Sequence, residues 1–85
     1  MISNRKQIEN FCNDRNIKIH SLEYIRNHEY IYDDSFDSSY WELSIYLTES
    51  NISTYDTRLG DTIADGIKLM LSAIVKDIDE FSNRG

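Results

Sequence analysis

From residue 63 to residue 81 the apolar side chains recur at helical spacing: Ile63, Ile67, Met70, Leu71, Ile74, Ile78 and Phe81 form one stripe, widened by Ala64 and Val75. A helix of that length needs a flat apolar cover. Residues 40–48 supply one, since Trp41, Leu43, Ile45 and Leu47 alternate with Tyr40, Glu42, Ser44, Tyr46 and Thr48 at the period of a strand with one apolar face. The long helix is therefore expected across the face bearing Trp41 and Leu47.

The other elements follow from local patterns. Ser3 or Asn4 can cap a first helix whose Ile8, Phe11 and Cys12 share a face, and Asn13 with Asn16 can end it in the left-handed region. Residues 17–32 favour a strand. Their apolar parity changes between Ile19 and Leu22, which a bulge or break explains. Residues 33–38 (Asp-Asp-Ser-Phe-Asp-Ser) read as a polar turn, because Asp and Ser side chains bond their own backbone. Glu49, Ser50 and Asn51 turn the chain into a third strand over residues 52–59. Gly60 breaks it, and Asp61 or Thr62 caps the last helix. The expected fold is a small α+β domain in the order α-β-β-β-α, a three-stranded antiparallel meander sheet with the C-terminal helix packed on one face. One domain is the expectation for 85 residues.

Residue types limit the chemistry. Cys12 is the only cysteine, so no disulfide framework exists, and a core thiol is its plainest reading. Cys12 with His20 is the sole imaginable nucleophile–base pair, and the spacing does not favour it. Asp33, Ser35 and Asp37 match the first ligands of a calcium loop, but Ser38 stands where its glycine belongs and Ser44 where its glutamate belongs. The three glycines build no phosphate-cradling loop. The expectation is a protein that is not an enzyme, has no cofactor or metal, and acts inside the cell, since no apolar run suits a leader or a membrane span.

Charge and exposed aromatics point to binding. The formal charge is −6, divided as +2 over residues 1–26 and −8 over residues 27–85. Such a surface repels phosphate backbones and anionic lipid and attracts basic protein. The expected partner is thus a basic protein surface, that of a nucleic-acid-binding protein, with no direct nucleic acid and no membrane. Tyr40 and Tyr46 fall with Glu42 on the strand face opposite Trp41, and tyrosine beside acid is interface chemistry. The competing reading has the first helix covering that face. Leu69 sits off the apolar stripe, where it could contact a partner or a second copy in a homodimer. Asp33, Asp34, Asp37, Asp65, Asp77, Asp79 and Glu80 complete the candidate partner-binding set, three of them at a helix end where the macrodipole disfavours acids.

In size, charge and lack of motifs, though in no run of residues, the chain resembles small phage anti-defence proteins (anti-CRISPR-like proteins or DNA mimics) and nuclease-immunity proteins. That resemblance implies a small acidic inhibitor occupying the basic nucleic-acid site of a nuclease or related protein. The alternative is a homo-oligomeric structural or regulatory module.

Overall fold

A computed structural model describes residues 2–26, 28–31 and 34–82, those at 28–31 and 34–37 as backbone. The elements are α1 (Asn4–Asp14), β1 (Ile19–Ile25), β2 (His28–Ile31), β3 (Asp34–Asp37), β4 (Tyr40–Tyr46), β5 (Ile52–Asp56) and α2 (Ile63–Ser82). Among the described residues no helix is long and apolar enough to cross a membrane.

Both ends of α1 are built from side-chain and backbone caps. The Ser3 hydroxyl accepts the Lys6 N–H at 3.1 Å. At the other end Asn16 takes φ 56, and the N–H groups of Asn16 and Ile17 turn back to the carbonyls of Asn13 (3.2 Å) and Cys12 (2.8 Å). This pair of hydrogen bonds closes the helix and aims Ile17 into the core. An Asn16→Val variant is expected to lose about 1–2 kcal/mol, the cost of a β-branched residue held left-handed, whereas Asn16→Gly should hold or gain stability. Urea midpoints that fail to separate the two variants would show that the cap does not constrain the backbone.

The main sheet has the order β1-β4-β5, all antiparallel. The parity change in β1 is a register shift between Ile19 and Ser21. That one extra residue lets both Ile19 and Leu22 face the same side as Ile45 and Leu43. Both helices pack on this side. Ile8 and Cys12 of α1 and Ile67, Met70 and Ile74 of α2 close over Leu22, Leu43 and Ile45 in one buried cluster. The stripe on α2 overhangs this core: Ile63, Val75 and Phe81 remain exposed.

Two segments differ from the sequence expectation. The strand expected over 17–32 is two strands, β1 and β2, and residues 34–37 form β3 instead of a turn. The reason is register. Stepping three residues from Ile25 to His28 matches three from Tyr40 to Asp37, so the β2–β3 ladder continues the β1–β4 ladder and satisfies backbone groups that the Asp and Ser side chains would otherwise contest. The third strand also ends early, at Asp56. Thr57 then holds the chain against β4, its N–H donating to the Trp41 carbonyl at 3.1 Å and its Oγ1 accepting the Trp41 N–H at 3.0 Å.

From Thr57 the chain crosses directly onto α2. Gly66 on the first turns of the helix lies against the Thr57 carbonyl, and Gly60 lies against Gly66. Thr62 is the helix cap, its Oγ1 accepting the Asp65 N–H at 3.1 Å.

Candidate protein-binding face

With both helices on one side, the other side of the sheet carries no helix. Antiparallel partners share a face, so the register defines its rows. Ser21, Ser44 and Thr54 make one row, and Glu23, Glu42 and Asp56 make the next. Tyr40, paired with Ile25, and Tyr46, paired with Ile52, flank these rows. The first helix does not cover the tyrosines.

The aromatic positions are held by basic neighbours. The Arg58 guanidinium stands 4.5 Å from the Tyr40 ring centre and the Lys18 ammonium 5.2 Å from that of Tyr46. His20 meets Tyr46 edge-on, its Nδ1 3.0 Å from the hydroxyl. These contacts fix two half-buried rings in place. Between the rings, Ser44 and Thr54 share a hydrogen bond of 2.9 Å.

The carboxylate row is the most informative part. Like charges placed directly across a ladder destabilise a sheet, and here three stand in line. Arg58 bridges one of them, donating to Asp56 through Nη2 at 2.8 Å and through its N–H at 2.9 Å, and its charge also reaches Glu42. The guanidinium holds the Asp56 carboxyl below its ordinary range. Among the described residues neither Glu23 nor Glu42 has an ion-pair partner.

The candidate residues divide between surfaces. Tyr40, Glu42 and Tyr46 come together on the open face. Asp65, Leu69, Asp77, Asp79 and Glu80 belong to α2, on the other side of the sheet. Asp79 and Glu80 are exposed there, and Asp65 sits in the first helical turn, where an acid is favoured. Asp77 is half-buried and accepts a 2.6 Å hydrogen bond from the Tyr55 hydroxyl, so local structure does use this acid. Leu69 is 51% exposed and, with Leu59 at 88%, borders an open groove of about 470 Å³ beside β5. Asp34 and Asp37 lie in β3, and Asp33 lies outside the described residues.

Cys12 is fully buried, and burial pushes its thiol pKa up, which disfavours the nucleophilic thiolate. His20 is engaged with Tyr46 on the open face. Sequence reasoning passed over Glu23 as a member of the site. The signal was available in the parity of β1: once the bulge precedes Ser21, Glu23 must share the face of Glu42.

No known protein family matches the chain, and neither a curated protein nor a solved structure is similar to it.

Proposed function

We propose that this chain is a non-catalytic binding protein that inhibits its partner by laying the open sheet face on a basic protein surface. The nucleic-acid site of a nuclease or related protein has the required charge. A phage anti-defence protein or a nuclease-immunity protein would work in this way.

The observation that carries the reading is a three-acid row, in which neither Glu23 nor Glu42 has an ion-pair partner among the described residues, on a face no described helix covers, between two preset tyrosines. Glu23 and Glu42 bring the fold no ion pair among the described residues. A basic partner would gain from the row twice, because opposite charge speeds encounter and desolvated rings supply buried anchors.

The test is capture of host proteins on the wild-type chain and on a Glu23→Gln/Glu42→Gln variant, at low and high salt. A protein with a basic site should be retained by wild type, at least tenfold less by the variant, and released by salt. The variant should melt at or above the wild-type temperature, since it removes a repulsion. Retention indifferent to both salt and the two substitutions overturns the reading.

A separate observation favours pairing of two copies. The Leu22 carbonyl on the outer edge of β1 is occupied by the Arg5 guanidinium at 3.0 Å, while among the described residues β5 pairs with β4 alone and has Leu59 and Leu69 exposed beside it. Light scattering at high concentration decides this second reading, and a strict monomer removes it.

A further inference from the structure

The two edges of the main sheet are finished differently. On β1 the Arg5 guanidinium takes the outward Leu22 carbonyl, whereas β5, among the described residues, pairs with β4 alone. The Thr57 N–H donates to the Trp41 carbonyl at 3.1 Å and the Leu47 N–H to that of Asn51 at 2.8 Å, so residues 51, 53, 55 and 57 turn their backbone groups toward β4. Ile52, Thr54 and Asp56 therefore turn theirs outward, a row that can accept another strand. That row is symmetric about Thr54. A second copy laid antiparallel sets Thr54 opposite Thr54 and Ile52 opposite Asp56, which uses every outward group on both sides. It also holds the two Asp56 carboxylates roughly 14 Å apart along the strands, beyond a screening length of about 10 Å in ordinary salt.

The helix above the edge has the same property. Leu69 and Ala73 of α2 line the open groove beside β5, and at about 100° per residue Asp65 and Lys76 fall with them within about 80° of arc. All four are exposed, and among the described residues neither Asp65 nor Lys76 is in an ion pair. Two such helices set antiparallel and centred at Leu71 place Leu69 against Ala73 and Asp65 against Lys76, each contact occurring twice. The two centres nearly coincide. Gly66 rests on Thr57, and α2 runs back along β5 from there to the Asp77 bond with Tyr55. From that meeting point Thr54 lies about 10 Å along the strand and Leu71 about 7.5 Å along the helix, so one two-fold axis serves both.

We propose that the groove between β5 and α2 is the docking site for a second copy of this chain, paired across a two-fold axis at Thr54 with β5 against β5 and α2 against α2. This rests on the reading that two copies pair, and it gives that reading a register and a charge pattern. The two three-stranded sheets become one, and Leu69, 51% exposed in the single chain, is covered by the second helix. The open faces of both copies run on as one surface, which doubles the acid row offered to a basic partner.

The experiment follows the dimer of the full chain by sedimentation equilibrium. Asp65→Lys and Lys76→Glu should each weaken it roughly tenfold or more, because each sets like charges across the axis twice. Mixing the two variants should recover affinity to within about threefold of wild type, since the mixed pair restores both contacts and shows that each variant is folded. Cross-linking reads the register. Under mild oxidation Thr54→Cys should form a covalent dimer, its Cα atoms about 5.5 Å apart across the axis, and Ile52→Cys should not, at roughly 14 Å. Cys12 is buried and stays out of this exchange. A dimer indifferent to both charge reversals, or one cross-linked by Ile52→Cys and not by Thr54→Cys, overturns this interface and leaves the pairing of copies standing. A strict monomer overturns both and leaves the edge to a strand of another protein.

Discussion

Replacing Gly66 with alanine is expected to destabilise the protein by about 2 kcal/mol, the cost typical of overpacking, although alanine is the better helix former by about 1 kcal/mol. The two effects have opposite sign, and geometry decides between them. A methyl group at Gly66 would meet the Thr57 carbonyl oxygen and come within 2.8 Å of its Cβ. Thr57 cannot yield easily. It is 4% exposed and tied to Trp41 by two hydrogen bonds that extend the β4–β5 ladder. The helix would have to lift instead, loosening Ile67 and Met70 from Leu43 and Ile45. For a domain of this size the melting temperature should fall by roughly 10 °C. A melting temperature at or above wild type would mean that helix and strand do not meet as closely as Gly66 implies.

That contact illustrates where the sequence is legible and where it is not. The stripe on α2 and the alternation in β4 are periodic, and each follows from a local rule, so their packing against each other could be foreseen from residue types alone. The cap at Ser3, the left-handed Asn16 and the bulge after Ile19 are also local. Gly66 is different. In the sequence it is a glycine inside a helical pattern with no visible reason, and its reason is Thr57, nine positions earlier and brought near only by the crossing of strand and helix.

The same distinction explains the turn expected at 33–38. Asp and Ser prefer turns as isolated residues, but a ladder already in register from Ser21 to Ile25 extends at low cost across the next residues. Long-range pairing outweighed local preference. On the open sheet face, Tyr40, Glu42 and Tyr46 were legible because one strand holds all three. Glu23 and Asp56 complete the acid row from two other strands, and their alignment depends on the bulge and on the β4–β5 register. The acids of α2 are near the others in composition only, since the sheet separates them from that row.

Replacing Tyr55 with phenylalanine should cost about 1.5 kcal/mol, the lower end for a hydrogen bond to a charged group, because water can reach a half-buried Asp77 once the phenol is gone. A double-mutant cycle isolates the pair. In an Asp77→Ala background the Tyr55→Phe cost should largely vanish, leaving a coupling of about 1 kcal/mol, and strictly additive losses would show that the 2.6 Å bond contributes nothing. The pair also carries a pH signature. Burial raises the Tyr55 pKa above its ordinary value, and the hydrogen bond to Asp77 raises it further, against a smaller opposing effect from Ser53. A folded-state pKa raised above the unfolded one means the stabilisation is fully present below the unfolded phenol value, near 10. It is lost as pH rises through the higher folded value, where a phenolate would face the Asp77 carboxylate. Cys12 has a thiol raised by burial and loses stability on the alkaline side as well, so the informative quantity is the difference between wild type and Tyr55→Phe. That difference should be constant from neutral pH up to the phenol range and shrink above it. A difference independent of pH throughout would mean that folding leaves the phenol pKa unchanged, and that neither burial nor Asp77 raises it.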